Sequence, residues 1–75
     1  MSKKSELKKA IEESKKEIDN LEKKLFRSQT ALLSAVLNHE KPSDRDAEYF
    51  RLYTSLINVE RENLQELTEE LENAD

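Results

Sequence analysis

The residues whose types could do chemistry are few and scattered. His39 and Glu40 stand side by side, a pair able in principle to ligate a metal or pass a proton. Adjacent residues do not share a helix face, and both fall in a segment with loop character, so His39 reads as a solvated loop histidine. Glu60 interrupts an otherwise apolar series. It is either a functional carboxylate buried among apolar side chains or an edge residue that reaches water or a cation. The edge reading is the simpler one, with Lys24 and Arg27 as partners from elsewhere in the chain and Arg61 adjacent in sequence. A third role for Glu60, together with Asn63, is to specify register, as polar residues within a helix seam can.

Ser14, Ser28, Ser34 and Ser55 have no histidine placed to activate them, so no nucleophile, base and orienting group assemble. With no glycine there is no glycine-rich phosphate loop, and the Glu-x-x-His pairs of di-iron bundles are missing. With no cysteine and one histidine, a structural zinc site is not expected. The expectation is a protein without catalytic residues, cofactor, metal or small-molecule substrate.

Lysines recur in pairs at Lys3-Lys4, Lys8-Lys9, Lys15-Lys16 and Lys23-Lys24, the kind of basic stripe that could follow a phosphate backbone. Glu6, Glu12, Glu13, Glu17, Asp19 and Glu22 are interleaved with them, and no aromatic residue joins the stripe. A solvated helix exterior explains this better than a nucleic-acid surface. Glu12 to Lys16 and Asp19 to Lys23 are spaced for weak pairs along one helix.

These residues must be carried by helices. The chain has 75 residues, 40% of them charged, with one proline. Leu7, Ile11, Ser14, Ile18, Leu21, Leu25, Ser28, Leu32 and Ala35 are spaced alternately by four and three, a heptad stripe with two serine interruptions. Phe50, Tyr53, Ile57, Glu60, Leu64, Leu67, Leu71 and Ala74 form a second stripe of the same kind. Between the stripes lies Asn38-His39-Glu40-Lys41-Pro42-Ser43-Asp44. Proline disfavours helical geometry at Lys41, and Ser43 is a capping residue with Asp46 three places on. Asp44, Asp46 and Glu48 suit the positive end of a helix dipole. The spacing predicts one hairpin domain over residues 1–75, with a helix at about 3–37, a loop at about 38–43 and a helix at about 44–73.

Matching the stripes outward from the loop pairs Leu32 with Phe50, Ser28 with Tyr53, Leu25 with Ile57 and Leu21 with Glu60. It continues with Ile18 and Leu64, Ser14 and Leu67, Ile11 and Leu71, and Leu7 and Ala74. Residues 1–41 hold ten basic against seven acidic side chains, and residues 42–75 hold three against ten. The two halves should therefore attract each other when folded side by side. The acidic run from Glu66 to Glu72 has the basic first helix as its simplest destination.

Near the loop each helix carries further apolar residues outside its seam. Phe26, Thr30, Leu33 and Leu37, with Val36 alongside, do so on the first helix; Tyr49, Leu52, Leu56 and Val59 do so on the second. One partner helix cannot cover two stripes on the same helix, and a helix apolar on several sides is normally buried on several sides. Phe26, Leu33, Val36, Leu37, Tyr49, Leu52, Leu56 and Val59 are thus the candidate interface. Two readings stay open: the core of a homodimer, two hairpins completing a four-helix bundle, or a docking face for a different protein.

The fold class expected is all-α, an antiparallel coiled-coil hairpin. The function expected is protein–protein interaction, as an adaptor, small chaperone or assembly factor. In its size, its two helices and its loop Glu40-Lys41-Pro42-Ser43-Asp44, the architecture resembles the small hairpin co-chaperones of bacterial type III secretion. That resemblance implies an obligate subunit of a heteromeric helical complex. A dimeric nucleic-acid-associated regulator and a purely structural coiled-coil segment are the other classes. No apolar run approaches the length of a membrane span. Met1-Ser2-Lys3-Lys4-Ser5 lacks the apolar stretch of a signal peptide, so a cytoplasmic location is expected.

Overall fold

The computed structural model describes residues 2–74. Two helices, α1 (Lys3–Leu37) and α2 (Asp44–Glu72), pack against each other as a hairpin. Each start is fixed by a serine. The Ser2 hydroxyl accepts the Ser5 N–H at 3.2 Å, and the Ser43 hydroxyl accepts the Asp46 N–H at 3.1 Å. Each bond satisfies one of the amide donors that a helix start leaves without an intrahelical acceptor.

α1 ends in a tight cap. The Asn38 N–H donates to Ser34 O, the His39 N–H to Val36 O at 3.1 Å, and the Glu40 N–H to Ala35 O at 2.8 Å. His39 takes a φ of 58°, the left-handed conformation usually given to glycine at this place. The last two of these bonds satisfy the Val36 and Ala35 carbonyls and turn the chain toward Pro42, which then excludes helix until Ser43 restarts it.

The molecule is a rod, 57 × 15 × 14 Å, with a radius of gyration of 17.0 Å. A compact chain of this length would have a radius of gyration near ~11 Å. Its core is one seam. Leu7, Ile11, Leu21 and Ile57 are buried, with Ser14 and Ser28 among them. Ile18, Leu25, Leu32, Phe50, Tyr53, Leu64, Leu67 and Leu71 are half-buried along the same line.

The register differs from the pairing expected from the sequence. The Ser14 hydroxyl donates to Glu60 Oε1 at 2.8 Å. With Glu60 opposite Leu21, Ser14 would lie seven residues away, about 10 Å along the axis and beyond the reach of a glutamate. Sliding α2 by one layer sets Glu60 against Ile18, about 6 Å from Ser14, where the bond forms. Every layer then re-pairs: Ser28 with Phe50, Leu25 with Tyr53, Leu21 with Ile57, Ser14 with Leu64, Ile11 with Leu67, and Leu7 with Leu71. The two most buried apolar residues, Ile57 at 2% and Leu21 at 4%, fall in one layer. The Arg61 guanidinium lies 3.5 Å from Glu22, a contact compatible with a slide of one layer, since a further step would draw the two apart. α1 continues past the first turn of α2, so Leu32 faces the Asp46–Ala47 turn, both residues half-buried, rather than Phe50.

Candidate functional site

The eight candidate interface residues are all exposed: Phe26 at 67%, Leu37 at 69% and Val59 at 63%, with Leu33, Val36, Tyr49, Leu52 and Leu56 at 41% or more. Nothing in the hairpin covers them, because the seam uses only the facing edge of each helix.

They do not form one patch. Phe26 lies one turn after Glu22, and Leu33 and Val36 continue along that flank of α1. Glu22 is bridged to Arg61 of α2, which marks this flank of the hairpin. Tyr49 instead shares a groove with Lys24, Arg27 and Ser28 of α1, and Leu52, Leu56 and Val59 continue along that side of α2. Arg61 and Leu56 are five residues apart, which places them on opposite sides of α2. The α1 stripe and the α2 stripe therefore look out from opposite flanks of the rod. Sequence spacing alone places each stripe on its own helix. Which flank each occupies follows only from the antiparallel arrangement and the cross-helix contacts.

An aromatic cluster marks the Tyr49 flank. The Tyr49 and Tyr53 rings stack at 6.0 Å with planes 22° apart, and the Lys24 ammonium lies 6.0 Å from the Tyr53 ring. The latter is a cation–π contact at the outer limit of its range. Neither contact is among the sequence expectations; the four-residue spacing of the two tyrosines is the signal that could have found the stack.

The polar candidates have definite contacts within the hairpin. Glu60 is half-buried and meets neither Lys24 nor Arg27. Its Oε1 accepts from Ser14 and from Asn63 Nδ2 at 3.2 Å, so the register role weighed for Glu60 and Asn63 has a geometry, with Ser14 as a member that sequence reasoning pairs with Leu67. His39 is exposed in the cap. Ser28 donates back to the Lys24 carbonyl at 3.3 Å, as a helix serine without a better partner does. Among the described residues, no cluster of three or more His, Cys, Asp or Glu is placed to hold a metal ion, and no helix is long and apolar enough to cross a membrane.

The charge attraction expected between the helices is not made through close pairs. Among the described residues, the one ion pair across the seam is Glu22–Arg61, with the acid on α1 and the base on α2. Lys23–Asp19 at 3.1 Å and Lys15–Glu12 at 3.8 Å stay within α1, the second taking Lys15 rather than Lys16. Lys3 shares a groove with Glu66, Glu69 and Glu70 without an ion pair. The acidic face of α2 is thus left largely to solvent.

No family model matches the chain, and it matches no curated protein and no solved structure.

Proposed function

We propose that this chain is a non-enzymatic protein–protein interaction module, an adaptor, small chaperone or assembly factor in the cytoplasm, acting through its apolar helix flanks near the loop. The observation that carries this is the exposure of eight large apolar side chains on a rod whose own core is a single seam. The chain exposes 6036 Å². A compact monomer of its mass would expose roughly 4,800 Å². Burying a large apolar side chain contributes about 1.5–3 kcal/mol, so covering even some of these adds substantially to what the isolated seam supplies. The partners are other helices, and the simplest supply is a second hairpin, the two sharing a four-helix core.

The test is sedimentation equilibrium across a range of concentrations, with helicity followed on the same samples. Self-association that is lost in Leu33→Glu and Leu56→Glu variants supports the reading. A chain that stays monomeric and fully helical at every concentration, and is unchanged by those substitutions, removes it.

A further inference from the structure

We infer that the groove beside Tyr49 takes an acidic amphipathic helix of a different protein, its apolar face on Leu52 and Leu56 and its carboxylates on Lys24 and Arg27. This rests on the interaction-module reading and names the partner of one of the two flanks. The groove runs between the helices, lined by Lys24, Arg27 and Ser28 of α1 and by Asp46, Tyr49 and Tyr53 of α2. Tyr49, Leu52, Leu56 and Val59 carry its exposed apolar wall along α2 for about 15 Å. Their spacing by threes and fours is the one that an incoming helix matches with its own apolar face.

Charge names the partner. Lys24, Arg27 and, one turn before Tyr49, Arg45 are exposed, and none of them is in an ion pair among the described residues. Two acids stand nearby. Asp46 is in the first turn of α2, where the positive end of the helix dipole offsets its charge. Glu48 lies about 200° around the helix from the seam residue Phe50, away from α1. The α1 cations beside the apolar wall are therefore left without an opposite charge. They are also confined to it: one heptad from Lys24 and two from Arg27, the same sides of α1 carry Glu17 and Glu13. A long phosphate backbone following this flank would meet those acids, whereas a short acidic helix would not.

A second copy does not supply the required chemistry. Its acidic run from Glu66 to Glu72 has Leu67 and Leu71 half-buried in its own seam, so carboxylates and free apolar side chains are not presented together. Two copies joined face to face through this stretch would bring the Lys24 and Arg27 of both into one interface, and like charges disfavour that contact.

The chain has two tyrosines, both in this groove, and no tryptophan, so its own emission reports occupancy. The probe is a synthetic helical peptide free of tyrosine and tryptophan, with leucines spaced by threes and fours and glutamates beside them. Its counterpart carries lysine for every glutamate. The acidic peptide is expected to change the tyrosine emission of the full chain saturably, less so at high salt, and the basic one to leave it unchanged. Lys24→Glu and Arg27→Glu, made together at exposed positions, should keep the helicity and weaken the acidic peptide by about tenfold or more, while the basic peptide now binds. If both peptides bind alike, if neither binds, or if the preference does not reverse in the variant, the inference fails. If a single-stranded oligonucleotide moves the emission and the acidic peptide does not, the groove takes phosphate and the inference fails. In each case self-association that is lost in Leu33→Glu leaves the interaction-module reading standing. A helical monomer at every concentration that responds to neither peptide removes both.

Discussion

The Ser14 hydroxyl and the Glu60 carboxylate meet across the seam at 2.8 Å, and this pair sets which layer of α1 faces which layer of α2. Seams built only of aliphatic residues spaced by fours and threes can be matched one layer over with little loss, since every layer still meets an apolar partner. A polar group cannot be moved so cheaply, because it would leave its partner unsatisfied. Ser14 is buried at 3% exposure, so its hydroxyl has little access to water. Ser14→Ala is expected to lower stability by about 1 kcal/mol, at the low end for a hydrogen bond to a charged group because Glu60 is half-exposed. Chemical denaturation would read this.

Glu60→Leu should behave oppositely in stability and in specificity. Made together with Ser14→Ala, so that no buried hydroxyl is left without its partner, the apolar residue in the seam raises the melting temperature while removing the element that fixes register. Spin labels at Lys8 and Thr68, both exposed, would report the alignment. One narrow distance is expected for the unaltered chain. In Glu60→Leu a second population should appear, displaced along the axis by about 5 Å. A single unchanged distance in the variant would show that the loop alone holds the register.

Seam and flank residues of the same type should respond differently to truncation. Leu21 and Ile57 are the most buried apolar residues, and Leu21→Ala or Ile57→Ala is expected to cost about 2–4 kcal/mol. In so small a core that is enough to abolish cooperative unfolding at room temperature. Leu33→Ala, at 60% exposure, should change the stability of the dilute chain by less than about 0.5 kcal/mol while weakening association. Equal losses of helicity at Leu33 and Leu21 in dilute solution would contradict this division of roles.

What can be read from the sequence follows this division. Two helices packed on each other are legible because the heptad spacing and the Pro42-Ser43 punctuation each have a local cause. The excess apolar residues near the loop are legible by counting stripes against one available partner. Two things are not. The register depends on how far α1 runs past the first turn of α2, which is set by backbone geometry at His39 and by the reach of Glu60 toward Ser14. The opposition of the flanks depends on which side of each helix meets the other. Spacing of 3.6 residues per turn is silent on that until an antiparallel partner fixes it. The attraction expected between basic and acidic halves does not translate into close ion pairs for a related reason: net charge does not specify which side chains come within reach.

The Glu22–Arg61 pair should contribute almost nothing to stability. Its side chains are 52% and 59% exposed, and the nitrogen–oxygen distance is 3.5 Å. Pairs of this kind are screened by solvent and ordered at an entropic cost. Glu22→Gln, Arg61→Gln and the double variant are expected to agree with the unaltered chain to within about 0.5 kcal/mol, with a coupling indistinguishable from zero. A coupling above about 1 kcal/mol would mean that this flank is desolvated in solution, and hence covered by another chain.

His39 offers a stabilising substitution. Its φ of 58° is costly for a residue with a Cβ and free for glycine, and the cap it serves holds two carbonyls near the end of α1. His39→Gly removes the steric cost but gives the unfolded chain more freedom, so the two effects partly cancel. A net gain of about 0.5–1 kcal/mol is expected, visible as a melting temperature higher by several degrees in a domain of this size. His39→Val should move the other way, because β-branching penalises the left-handed region further. Both variants must be compared at one protein concentration, since association also shifts the transition. If His39→Gly lowers the melting temperature, the imidazole contributes a contact that outweighs its backbone strain, and the loop end of the rod is held by more than its cap.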